Sequence, residues 1–125
     1  MRFRAGQRLR RNADFRTVRE QGRRADCGAF QLVWRAPAGA DTAQPRTARV
    51  GVVASRAAVG GAVERNRAKR RLRELYRRHQ ELVPPGFDLI LTARSAVLRL
   101  DFSELEKKFV EACRRFPPKP SASHV

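Results

Sequence analysis

Along this chain the apolar positions change period several times, and each change marks an element. Phe15 and Val18, three apart, sit between Asn12, a side chain suited to capping a helix, and Gly22, a residue that stops one, so a short helix is expected over Ala13–Gln21. From Cys27 to Arg35 the period falls to two: Phe30, Leu32 and Trp34 form one face of a strand, and Ala29, Gln31 and Val33 the other. Ala48–Ala54 alternates again, with Val50, Val52 and Ala54 against Arg49, Gly51 and Val53. Between the two runs, residues 36–47 (APAGADTAQPRT) read as the long mobile loop of a hairpin. Phe87–Ala93 is nearly apolar on both faces, as a central strand should be. Ser103 with Glu106 reads as a capping box ahead of a last helix whose apolar face is Leu105, Phe109, Ala112, Cys113 and Phe116.

The longest periodic stretch is Gly60–Gln80, GGAVERNRAKRRLRELYRRHQ. Ala68, Leu72, Leu75, Tyr76 and His79 recur there at helical spacing, although eight of the fourteen residues from Arg65 to Arg78 are Lys or Arg. A disordered basic arm has no reason to keep an apolar stripe in register, so this segment is a docked helix ending before Pro84 and Pro85. At 100° per residue, Asn66, Lys69, Arg70, Arg73 and Arg77 line up beside the stripe as a cationic edge. Arg67, Arg71 and Arg78 lie further round, tempered by Glu64 and Glu74, and Arg65 borders the stripe. Like charges three and four apart repel by about 0.2–0.5 kcal/mol per pair, a cost that makes sense if a polyanion lies along them.

The expected order is helix, strand, strand, basic helix, strand, helix: an α+β domain with a small, mostly antiparallel sheet of three to four strands packed with three helices. With 125 residues there is room for one core, assigned to residues 12–116 between a basic lead-in (1–11) and a disordered tail (117–125).

Charge then narrows the function. With 28 basic against 12 acidic residues, the net charge of +16 is the footprint of a nucleic-acid binder. Met1–Arg11 has no apolar run of the kind a secretory signal needs, and no stretch is long and apolar enough for a membrane span, so a cytoplasmic protein with no membrane partner is expected. Cys27 and Cys113 stand apart, with no paired metal-ligand spacing, and read as free thiols. Neither Walker phosphate loop nor HExxH motif occurs, and the two histidines lie in no catalytic motif, so the side chains of this chain are expected to be neither catalytic nor metal-binding. His79, on the apolar stripe, reads as a packed residue. A structural RNA-binding protein, for instance a ribosomal one, fits the same charge and size. A DNA-binding module fits less well, because no second helix at a tight turn and no zipper accompany the basic helix.

The run Arg65-Asn66-Arg67-Ala68-Lys69-Arg70-Arg71-Leu72-Arg73, preceded by Ala62-Val63-Glu64, resembles the RNR signature helix of the protein subunit of bacterial ribonuclease P. Arg8–Phe15 resembles that family's opening, Arg49–Val53 its strand before the crossover and Phe87–Ile90 its strand after it, so residues 8–116 are covered. The resemblance implies a left-handed βαβ crossover, as in domain 2 of ribosomal protein S5, against the usual right-handed rule. It also implies a cofactor protein for a catalytic RNA that removes the 5′ leader of precursor tRNA by Mg²⁺-dependent hydrolysis, with Mg²⁺ held mainly by the RNA. The partners implied are that RNA and precursor tRNA, with no obligate protein partner. By position, Arg65, Asn66, Arg67, Lys69, Arg70, Arg73 and Arg77 would face the catalytic RNA. Phe15, Arg19, Val33 and Arg56 would line a cleft for the single-stranded leader. The positions of Arg19 and Val33 are aromatic in some members, and Arg56-Ala57 replaces a basic pair, so leader contact here is expected to rely more on charge than on stacking.

Overall fold

The computed structural model describes residues 12–36 and 48–116. The expectations for the lead-in, the loop at 37–47 and the tail lie outside them. Helix α1 spans Asn12–Gln21, strands β1 and β2 span Arg23–Asp26 and Phe30–Arg35, and β3 spans Arg49–Val53. A one-turn helix α2 (Arg56–Val59) leads into the long α3 (Ala62–His79), followed by a 3₁₀ turn at Gln80–Leu82, β4 (Asp88–Ala93), a second 3₁₀ turn at Ser95–Leu98 and α4 (Phe102–Cys113).

The four strands form one sheet in the order β1-β2-β4-β3, antiparallel except for the parallel β3–β4 pair. This confirms the α+β class and the central place of Phe87–Ala93, which begins as a strand at Asp88. It corrects the hairpin expected between the strands at Cys27–Arg35 and Ala48–Ala54: those strands are not neighbours, because β4 lies between them. The true hairpin is β1–β2. Its turn breaks the expected strand at Cys27–Ala29, where Gly28 has φ of +79° and its N–H donates to Asp26 Oδ1 at 2.9 Å. β1 was missed because in Arg23-Arg24-Ala25-Asp26 only Ala25 is apolar, too few positions to show alternation.

Alternation sorts the sheet into two faces. Phe30, Leu32, Trp34, Val50, Leu89 and Leu91 join Ala68, Leu72, Leu75, Tyr76, Leu105 and Phe109 in the main core, so α3 and α4 cover one face. Trp34 stacks on Phe87 with centroids 5.8 Å apart, and Phe116 packs edge-on against both rings. The other face carries α1 over a smaller cluster of Val18, Val33 and Ile90, with Phe15 and Val53 at its margin.

Two further local expectations are corrected. α4 starts one residue before Ser103, with Asp101 at the cap position and no side-chain capping bond. Glu106 instead reaches His79, whose Nε2 lies 3.0 Å from its Oε2, so the carboxylate that would close the capping box is engaged across the helix pair. His79 itself is half-buried beside Phe109, at the edge of the core. Gly22 ends α1 as expected, for a reason of space: a Cβ there would meet the carbonyl oxygens of Val18 at 2.4 Å and Trp34 at 2.6 Å.

Candidate nucleic-acid interface

Helix α3 buries Ala68, Leu72, Leu75 and Tyr76 and turns its remaining circumference outward. Several of its cations are consumed within the fold. Glu74 takes both Arg77 (Nε–Oε1 2.9 Å) and Arg78 (Nε–Oε2 2.7 Å), and these bonds, Arg77's the larger effect, hold its carboxyl down at about 2. Arg77, expected on the open edge, is therefore ion-paired. Arg71 donates to the Leu100 carbonyl and its guanidinium lies 5.8 Å from the Phe102 ring centroid, while that of Arg78 lies 4.7 Å from it. Together they clamp the start of α4 to α3.

The N-terminal half of α3 is different. Asn66, Arg67, Arg70 and Arg73 are exposed, and Arg65 and Lys69 half-buried. Arg67, Lys69 and Arg70 form no ion pair with any described residue. The Nε of Arg65 is buried without a hydrogen-bond partner, which fixes the stem and leaves the far nitrogens as the part able to reach outward. Val63, 76% exposed, sits one turn before Asn66 and Arg67. The cationic edge is thus concentrated between Arg65 and Arg73.

The second candidate surface lies on the opposite face of the sheet. Contacts of α1 run from β3, where Asp14 lies 3.6 Å from Arg49, through Val18 on Val33 and Ile90, to β2, where Arg35 Nε donates to Gln21 at 3.1 Å. The helix therefore crosses the strands. Beneath it Asp88, 3% exposed, accepts two bonds from Arg49, at 2.9 and 3.0 Å. The bond to Asp88 raises the Arg49 pKa above its ordinary value, against the opposing effect of burial. The sheet is left open alongside α1, where Phe15 is half-buried and the Arg19 guanidinium stands 6.0 Å from its ring centroid. Of the predicted cleft residues, Phe15 and Arg19 meet here and Arg56 is exposed at the start of α2. Val33 is only 1% exposed, packed with Val18 and Ile90 under α1, and so is not part of the open surface.

Comparison with known proteins settles the kinship. Residues 3–117 match the family model described as Ribonuclease P. The chain belongs to the ribonuclease P protein family. The ribonuclease P protein component of Chloroflexus aurantiacus is 39% identical over 114 residues, covering 90% of this chain and 79% of that protein. That of Thermobifida fusca is 39% identical over 122 residues, covering 94% and 81%. Among solved structures, the RNase P protein from Thermotoga maritima superposes with a TM-score of 0.72 at 28% identity, over 89% of this chain and 98% of that one. The chain is thus a protein component of ribonuclease P, a subunit of an endoribonuclease of tRNA processing, and an RNA subunit is its partner in that holoenzyme.

Four residues of this ribonuclease P protein that shape the second surface were absent from the sequence-based site: Arg49, Asp88, Gln31 and Thr92. Each alternates with residues of the main core, Arg49 with Val50, Asp88 and Thr92 with Leu89 and Leu91, and Gln31 with Phe30 and Leu32. What was missing is their pairing, since Arg49 meets Asp88 and Gln31 meets Thr92 only through the strand order. No helix among the described residues is long and apolar enough to cross a membrane.

Proposed function

We propose that the N-terminal half of α3 docks on the catalytic RNA, that the cleft between α1 and the open sheet holds the 5′ leader of precursor tRNA, and that hydrolysis takes place at Mg²⁺ held by the RNA. The observation that carries this reading is the division of labour along α3. Arg71, Arg77 and Arg78 are used up by Leu100, Phe102 and Glu74, whereas Arg67, Lys69 and Arg70 have no ion-pair partner among the described residues. An unneutralised row of this kind offsets phosphate repulsion and releases counterions. Guanidinium forks suit paired phosphate oxygens, and Asn66 both donates and accepts where backbone and 2′-OH groups meet. Contact with a leader separates substrate from product, because the leader is gone once cleavage is complete.

Among the described residues no three His, Cys, Asp or Glu side chains group closely enough to hold a metal ion, so these residues do not fit a Mg²⁺ site and no step is assigned to the metal here. Their carboxylates serve the fold instead, Asp88 with Arg49, Glu106 with His79 and Asp26 with Arg94. The reading places the protein in the cytoplasm with its RNA, where the free thiols Cys27 and Cys113 stay reduced.

The test is precursor-tRNA cleavage by a bacterial ribonuclease P RNA at low Mg²⁺, with no protein, with this protein and with an Arg67→Ala/Arg70→Ala variant. Both positions are exposed, so folding is expected to survive. The wild type should restore cleavage. The variant should bind the RNA more weakly, with a salt slope shallower by about 1.5–2. Binding to the RNA without any gain in cleavage would move the chain to the structural RNA-binding reading.

A further inference from the structure

β1 is an edge of the sheet, with β2 on one side and no strand on the other among the described residues. Cys27 N–H donates to the Phe30 carbonyl at 2.9 Å. In this antiparallel pair the backbone groups of Cys27 and Ala25 therefore turn to β2, and those of Asp26 and Arg24 turn outward. Two sets of N–H and C=O groups, about 7 Å apart, thus stand along the free side of the strand. The side chains of Ala25 and Cys27 pack on the main core, on the face that α4 helps to cover.

Between this edge and α4 lies a groove of about 570 Å³. Ala25, Cys27 and Gly28 line it from the strand and its turn. Glu104, Lys107, Lys108, Glu111 and Ala112 line it from one face of α4, with Arg115 just past the helix end. Its charge is positive. Asp26 is held by Arg94 at 2.7 Å and Glu111 by Arg114 at 3.2 Å, which leaves Glu104 against Lys107, Lys108 and Arg115, none of them ion-paired among the described residues. Lys108 Nζ reaches across to the turn, 3.7 Å from where a Cβ on Gly28 would stand. Arg23 and Arg24, exposed on the strand itself, add to the same field.

An open strand edge facing a helix across a groove is a geometry in which an extended peptide adds to a sheet, main-chain hydrogen bonds supplying affinity and alternate side chains specificity. We propose that this groove docks an acidic segment of a partner protein, bound in extended conformation as a further strand beside β1. Its backbone meets the open groups of Arg24 and Asp26, its small apolar residues lie over Ala25 and Ala112, and its carboxylates meet Lys108 and Arg115. A single-stranded RNA satisfies the cations but has no repeating amide to match the edge. A second copy of this chain satisfies the edge, but pairing two β1 strands about a two-fold axis brings Lys107, Lys108 and Arg115 of both copies to one seam. β1 is also the edge farthest from β3, the strand beside which α3 packs, so a peptide held here leaves the basic helix free.

The probe is a short fluorescent peptide alternating Val and Glu, blocked at both ends. It is titrated into the full chain, and into the holoenzyme reconstituted with a bacterial ribonuclease P RNA, and followed by anisotropy. Both should bind it, and a peptide alternating Val and Lys should bind neither. Methylating the amides along one edge of the peptide removes N–H donors without changing its charge, and should weaken binding at least about tenfold. Arg24→Pro should do the same from the protein side, and the fold should survive because the N–H it deletes has no partner in the sheet. Arg24→Ala, which removes only an exposed charge, should weaken binding less than about threefold. Lys108→Glu/Arg115→Glu should weaken it at least about tenfold. Equal affinity for the methylated peptide, or binding that survives the charge reversal, would overturn the inference. So would no binding by the full chain, and a dimer of the chain that Arg24→Pro dissociates would then assign the edge to a second copy. An oligouridylate that displaces the peptide from the holoenzyme, and itself binds Lys108→Glu/Arg115→Glu more weakly, would assign the groove to RNA and overturn the inference as well.

Discussion

Replacing Arg49 by Met keeps an apolar stem and deletes the charge that faces Asp88. The carboxylate is 3% exposed and receives two guanidinium bonds, at 2.9 and 3.0 Å, from a side chain that is itself 24% exposed. Removing one partner of such a pair leaves a charge that water reaches poorly, a loss of about 3–5 kcal/mol. Against a total stability of about 5–15 kcal/mol this is a large fraction. In urea, with an m-value of about 2 kcal/mol/M, a 3 kcal/mol loss lowers the midpoint by about 1.5 M with m unchanged. At about 4 °C per kcal/mol it lowers Tm by about 12 °C. Asp88→Leu alone should cost less, because the Arg49 side chain it leaves is 24% exposed and lies 3.6 Å from Asp14. The Arg49→Met/Asp88→Leu double variant, which removes both charges, should be far less damaged than the two losses added together. Asp14→Ala is an internal control, because its oxygen is 3.6 Å from Arg49 and both side chains are partly solvated, so about 0.2–1 kcal/mol is at stake. An Arg49→Met loss below about 1 kcal/mol, or single losses that simply add in the double variant, would refute the argument that burial makes this pair indispensable to the sheet under α1.

The remaining predictions concern a close approach and a titration. Gly22→Ala should destabilise by about 1–3 kcal/mol in the same urea titration, because the added Cβ meets two backbone oxygens that cannot rotate away. Glu74 has its folded-state carboxyl lowered from 4.5 to about 2 by Arg77 and Arg78, so its contribution is present above pH 4.5 and is lost as pH falls through about 2. Tm measured between pH 2 and 5 should therefore fall less in Glu74→Gln than in wild type. The difference corresponds to about 0.3–0.5 kcal/mol per pair, because the pairs are partly exposed and salt-screened, and should shrink in 1 M salt. Identical acid limbs would show that these ion pairs contribute nothing.

Side-chain periodicity carried most of the architecture. Phe30, Leu32 and Trp34, Leu89 and Leu91, and the stripe Ala68-Leu72-Leu75-Tyr76 all lie in the main core where alternation or helical spacing puts them. The reason is local: a strand or helix must turn one side to the core, and the repeat of apolar residues states which side. The same rule identified α3 as a packed helix in spite of its charge, and the RNR run within it was specific enough to indicate the family. Elements too short to show a period were lost, namely β1 with one apolar residue and the single turn of α2.

Contacts between elements were not legible in this way, because a period states a side and never a neighbour. Wheel geometry placed Arg77 on the open edge, but whether a surface arginine stays open depends on the rotamers of Glu74, Arg77 and Arg78 together. Val33 belongs to the correct face of β2 and is nevertheless sealed, because α1 happens to cross there. Arg49 and Asp88 are 39 residues apart, and Gln31 and Thr92 are further apart still. Each pair exists because β4 inserts between β2 and β3, an order chosen by how α3 and α4 can cover one face of the sheet while α1 covers part of the other. Chain chemistry alone thus specifies a basic α+β ribonuclease P protein. Which of its cations remain open, and which polar side chains meet at the uncovered end of the sheet, follows from the packing of distant segments.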